Sequence, residues 1–209
     1  EAWRAAGGSP RSFLKSCIKF SVPIIVLAGA AMIFNYARWA DPLEFGHRFL
    51  DVRQQQNIET QGLFSLTYLK RNLLVAFALL PDIRTSAPFI QISGHGLALW
   101  FTSPILLWAL WPRNYTRLHI PLCLTVAAVG LPTLLYQNSG WLQFGYRFGI
   151  DYLPFLIVLV ALNGLALGRW AKTAIVVGIV INLFGAVTFA RHYQFYRTDT
   201  ATYQSILGQ

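Results

Sequence analysis

The chain has 209 residues, enough for one soluble domain, but its composition of 55% hydrophobic and 12% charged residues and its mean hydropathy of +0.47 exclude that class and point to a membrane protein. Aromatic content of 15%, with seven tryptophans, fits interfacial belts. The net charge of +9 therefore reads as orientation in a bilayer, and no nucleic-acid partner is expected. Cys17 and Cys123 fall in or beside apolar segments at no metal or redox spacing, so they read as small hydrophobes. The first residues, EAWRAAGGSPRS, carry neither the apolar run nor the cleavage site of a signal peptide, and no initiator methionine precedes them. A C-terminal piece of a longer protein is expected.

In chain order, residues 1–19 read as a basic juxtamembrane segment, with Arg4, Arg11, Lys15 and Lys19 ahead of an apolar run from Phe20 to about Tyr36. Such a run spans roughly 30 Å of hydrocarbon in about 20 residues, and its basic approach places that end in the cytoplasm. Pro23 is expected in the first turn, and Gly29 to Ala31 offer a small face for helix contact. Residues 38–96 form a mixed outer loop holding five of the eight acids. Within it, Gln61 to Leu80 reads as helical, but Lys70, Arg71 and Asn72 leave an unbroken apolar run of only eight residues, Leu73 to Leu80. That length suits a helix lying along the interface. Thr85 to Gly96 is expected to be irregular.

Further spans are predicted over Leu97–Trp111, with a kink at Thr102-Ser103-Pro104, then His119–Tyr136, Asp151–Leu167 and Thr173–Ala190. The tail 191–209 is polar and expected outside. With the N-terminus inside, the short turns Arg113–Arg117 and Arg169–Lys172 are inside and carry no acid, while every acid except Glu1 is outside. The expected fold is all-α and polytopic: about five transmembrane helices plus an outer interfacial helix, the membrane domain covering residues 20–190.

Two phrases stand out. Asn138–Pro154, NSGWLQFGYRFGIDYLP, sets Arg147 between aromatic residues at the mouth of an apolar helix, and Glu44–Asp51, EFGHRFLD, repeats F-G-aromatic-R-F. An arginine at interface depth binds a phosphate by charge-assisted, bidentate hydrogen bonds. Gly145 and Gly149 are expected to let the backbone turn sharply, and Trp141, Tyr146 and Phe148 to stack on a sugar ring or anchor the loop. The structural alternative is an arginine that snorkels beside the aromatic belt and pairs with Asp151. Asp151 itself is expected to cap the following helix rather than accept a proton. His47 and Arg48 supply a second cation if the outer loops converge; the alternative is a surface pair of Arg48 with Asp51. Asp41 and Glu44 are candidate acids at the membrane surface, set against ordinary solvated carboxylates. His95, between glycines, either contacts substrate or is idle. His119 and His192 lack ligand-spaced partners, and no metal is expected.

Three phrases, Phe34–Phe49, Gly94–Leu110 and Ser139–Leu156, together resemble the C-terminal half of bacterial multi-spanning glycosyltransferases of the GT-C superfamily, relatives of the protein mannosyltransferases. The last phrase is similar to a glycine-rich outer-face pattern of these enzymes, with Gly145, Arg147, Phe148 and Pro154 matching and Ser139 in place of a glycine. The resemblance implies transfer of a sugar from a polyprenyl-phosphate donor to an acceptor outside the cytoplasm, with inversion at the anomeric carbon, in a bacterial inner membrane. It implies that the catalytic acid belongs to the first outer loop of the full protein, which this chain does not match. The expected partners are membrane lipid, the polyprenyl-phosphate sugar and the remaining N-terminal part of the same protein. Arg147 matches the family arginine that holds the donor phosphate, with Tyr146, Arg48 and His47 beside it. Trp141, Gln143, Gly145 and His95 are expected to contact substrate or shape the loop. The rival reading is a non-catalytic membrane module, a lipid flippase, transporter or assembly subunit, whose arginines bind anionic head groups. Transporters place ionisable groups and broken helices at the midplane, whereas here almost every charge is at an interface.

Overall fold

A computed structural model describes residues 9–49, 55–164 and 167–206, which are mostly helical. The chain divides into two compact units, Glu1–Glu59 and Thr60–Gln209.

In the first unit, α1 (Pro10–Trp39) runs for 30 residues, starting well before the predicted span. Proline fits the first helical position, where its missing N–H has no partner to lose. Pro10 occupies that position, so Pro23 falls inside the helix rather than in its first turn. Phe20, Ile25, Leu27 and Ile33 are exposed along α1, and Asn35 is its one buried residue. Ala40 ends the helix in the left-handed conformation (φ 57°), its N–H bonded to the carbonyl of Tyr36. A 3₁₀ turn, His47–Phe49, follows, with Phe49 stacked on Trp39 at 4.4 Å. The short α2 (Gln55–Gln61) straddles the boundary between the units.

The second unit opens with a 3₁₀ turn, Leu66–Tyr68, and α3 (Leu69–Phe77), so the predicted interfacial helix is shorter than expected. Strand β1 (Asp82–Ile83) pairs antiparallel with β2 (Ile90–Ser93), the latter within the stretch Thr85 to Gly96 expected to be irregular. Strand β3 (Tyr196–Arg197) joins β2 in parallel, Ile92 opposite Tyr196 and Ser93 opposite Arg197, and α8 (Thr200–Ser205) follows it. The tail is therefore built into the fold.

Helix α4 (Leu99–Thr102) breaks at Ser103 and continues as a 3₁₀ helix, Pro104–Leu110. The predicted second span is thus not one continuous α-helix, although its kink falls where proline placed it. Next come α5 (His119–Leu135, 17 residues), a 3₁₀ turn at Arg147–Asp151, α6 (Leu153–Leu162, 10 residues) and α7 (Arg169–Thr188, 20 residues). Among the described residues only α1 and α7 are long and apolar enough to cross a bilayer, while α5 and α6 are shorter apolar helices. Val75, Ala76, Leu99, Leu106, Tyr146 and Tyr152 form the buried core of this unit, tying α3, α4 and the Arg147 turn together.

Candidate functional site

The Arg147 phrase is hung on the buried segment that follows β2. Leu97 donates its backbone N–H to the carbonyl of Phe144 (2.9 Å) and its carbonyl accepts from Tyr146 (3.1 Å), while Gly94 bonds Arg197 on the other side (2.8 Å). Gly94 has no room for a side chain, because a Cβ there would lie 2.8 Å from the indole of Trp141.

His95 sits at the centre, fully buried. Its Nε2 is 3.1 Å from the carbonyl of Tyr203, and its Nδ1 is 3.2 Å from the Ser139 hydroxyl and 3.1 Å from the carbonyl of Gly140. Trp141 meets the imidazole edge-on at 4.7 Å and Tyr203 stacks on it at 5.6 Å. Burial pushes the His95 pKa down, against the two backbone hydrogen bonds, and the nearby Arg71 pushes the same way. Gln143, also buried, donates from Nε2 to the carbonyls of His95 (2.7 Å) and Ser139 (3.3 Å). These contacts of His95, Trp141 and Gln143 hold the loop in shape.

Arg147 begins the 3₁₀ turn and is exposed, its backbone N–H facing Gln143 Oε1 at 3.4 Å. Its guanidinium lies over the Phe148 ring at 5.2 Å. Among the described residues no carboxylate pairs with it. The alternative pair with Asp151 is absent for a geometric reason: in a 3₁₀ turn residues three apart share a face, and these are four apart. Asp151 is exposed, and it does not cap α6, whose N-cap is Tyr152 without a side-chain bond. Tyr146, expected beside the phosphate, is 3% exposed and belongs to the core. Gly145 and Gly149 do not make left-handed turns; those are at Gly140 (φ 90°) and Leu142 (φ 54°). What they permit is close approach to α4, since added Cβ atoms would lie 3.3 Å from Thr102 and 3.0 Å from Leu99.

Beside Arg147 opens a cleft of about 360 Å³, walled by Leu99, Ile150, Leu153, Phe189 and Asn182. Among the described residues no carboxylate or imidazole lines it. Asn182, on α7, donates from Nδ2 to the carbonyl of Thr102 at 2.7 Å, which satisfies the group left over where α4 breaks before Pro104.

The remaining candidates lie in the first unit. Asp41 accepts from Leu43 N–H at 2.9 Å, and the half-buried turn is continued by Glu44, which accepts from Gly46 N–H at 2.7 Å. His47 and Arg48 stand in the 3₁₀ turn. The Arg48 side chain, and Asp51 with it, lie outside the described residues.

Arg71 is a residue that sequence reading passed over as an interruption of an apolar run. It donates from Nη2 to the carbonyls of Gln137 (2.5 Å) and Tyr136 (3.3 Å) and from Nε to Asn72 (3.1 Å). Burial lowers its pKa, opposed by Tyr203 and Tyr68. Asn72, fully buried, donates to the carbonyls of Leu134 (2.9 Å) and Tyr136 (2.7 Å), closing the end of α5. The Lys70-Arg71-Asn72 triplet was the available signal: polar groups in an apolar run have backbone to satisfy.

Compared with known proteins, the chain matches no family model, no curated protein and no solved structure.

Proposed function

We propose that this chain is the C-terminal, membrane-embedded part of a glycosyltransferase resembling the GT-C superfamily, which moves a sugar from a polyprenyl-phosphate donor to an acceptor outside the cytoplasm. In this reading the apolar segments lie in the bacterial inner membrane, α1 and α7 crossing it, and the face bearing Arg147 is external. The observation that carries it is the setting of Arg147: an exposed guanidinium, without an acid partner among the described residues, at the rim of a cleft with largely apolar walls. A phosphate gains charge-assisted hydrogen bonds at such a rim, and an isoprenoid chain gains burial along the wall.

As the donor bond breaks, negative charge grows on the leaving phosphate, and a fixed guanidinium stabilises it more than it stabilises the bound donor. Among the described residues no carboxylate or imidazole lines the cleft, and in this reading the base comes from another part of the protein. The test is photo-crosslinking of a diazirine-bearing polyprenyl phosphate to membranes containing the chain. Arg147→Glu is expected to abolish labelling while the protein remains inserted. Undiminished labelling overturns the proposal, and labelling by a full-length protein that performs no transfer favours the non-catalytic lipid-binding module.

A further inference from the structure

The cleft beside Arg147 does not end at Phe189. That ring also lines a second cleft of about 380 Å³, shared with Phe144 and floored by Gly185 and Ala186 of α7, and at its rim stands Arg191. The wall between the two clefts is tightly fitted, because the Phe144 ring occupies the space that a side chain at Gly185 would need. Arg191 is exposed. It donates from Nη1 to the carbonyl of Ala186 at 2.6 Å, which holds the side chain against the end of α7, and no carboxylate pairs with it among the described residues. Among the described residues no acid lines either cleft. Two cations thus border adjoining, largely apolar clefts, with the Phe144 and Phe189 rings common to both.

From this placement we infer that Arg191 is a second anion-binding residue, and that Arg147 and Arg191 together hold the phosphorylated head of a lipid across Phe189. The inference rests on the lipid-phosphate reading of Arg147 and adds a residue that the chain's repeated F-G-aromatic-R-F phrase does not include. Charge complementarity selects an anion, since a neutral lipid leaves both guanidinium groups uncompensated as the clefts fill. The apolar walls select an amphiphile over free phosphate, because a soluble ion buries none of Leu99, Leu153 or Phe189.

The test uses the purified full chain in detergent, with radiolabelled farnesyl phosphate as the ligand and farnesol and inorganic phosphate as competitors. Arg191→Gln is expected to weaken farnesyl phosphate binding by about tenfold or more, as Arg147→Gln does, because each removes a charge-assisted contact. Arg191→Lys, which keeps the charge, is expected to recover most of the affinity. Farnesol binding is expected to be unchanged in Arg191→Gln, which separates loss of the phosphate contact from collapse of the α7 end. Inorganic phosphate at equal concentration is expected not to compete. If Arg191→Gln binds like the parent while Arg147→Gln does not, the second site is wrong and the first stands. If neither substitution matters, both are wrong, and effective competition by inorganic phosphate refutes the lipid assignment.

Discussion

His95 illustrates how one buried side chain can hold three segments in register. A neutral imidazole has one N–H and one lone pair: with Nε2–H donating to Tyr203, Nδ1 accepts from the Ser139 hydroxyl, and the Gly140 carbonyl 3.1 Å from Nδ1 is then left without that proton. Burial lowers the folded-state pKa below its ordinary value of 6.5. The unfolded chain therefore binds more protons than the folded one as pH falls below about 6.5, and stability is lost in that direction until the folded pKa is also passed. Thermal unfolding of the purified protein should show a melting temperature that drops between pH 7 and pH 5. His95→Gln should lower stability at pH 7 by about 1–3 kcal/mol, through lost buried hydrogen bonds, and flatten this acid slope. A slope as steep in His95→Gln as in the parent would show that other groups set it. In the sequence His95 was legible only as a histidine between glycines. The partners that settle its use, Ser139 and Tyr203, are 44 and 108 residues away, and no local pattern records them.

Elements were legible in proportion to their length. The apolar runs behind α1, α5 and α7 are long enough for composition alone to mark them, and all three formed near the expected places. Leu97–Trp111 is as apolar, yet hydrophobicity does not distinguish α from 3₁₀ geometry, and the break at Ser103-Pro104 is stabilised by a donor 80 residues away. Strands of two to four residues, β1 to β3, are too short to show an alternating period. The Arg147 motif itself was visible, as were Gly145 and Gly149, but the protein groups these glycines admit, Thr102 and Leu99, are about 40 to 50 residues away and leave no local signal. The break in α4 gives its own prediction. Asn182→Leu removes the donor to the Thr102 carbonyl and leaves that oxygen unpaired, at a cost of about 1–3 kcal/mol. Thermal or denaturant unfolding should show the loss, and a variant as stable as the parent would mean that the carbonyl finds another donor.

The second unit has two chemically different ends. At one, His119 Nε2 donates to Asn163 at 2.8 Å and Asn163 donates to the carbonyl of Trp108 at 2.6 Å, so the ends of α5, α6 and the 3₁₀ helix are tied together. The chain segments that lead into this knot carry Arg113, Arg117, Arg169 and Lys172 and no acid. At the other end lie the three-stranded sheet, the His95 knot and the Arg147 cleft, with Asp82 paired to Arg84 (3.3 Å) and Arg197 (3.5 Å). Helix α7 starts in the acid-free region and finishes beside the cleft, and its 20 residues correspond to about 30 Å of rise, the thickness of a hydrocarbon core. Under the proposed function, basic short turns without acids stay in the cytoplasm, and the two arginine clefts then face outward. Substituted-cysteine labelling checks this directly. With Cys17 and Cys123 replaced by serine, Tyr193→Cys, 73% exposed, is expected to react with a membrane-impermeant maleimide in intact cells, whereas Tyr115→Cys, 71% exposed, reacts only after permeabilisation. The reverse pattern would face the Arg147 rim to the cytoplasm and overturn the proposed extracytoplasmic transfer.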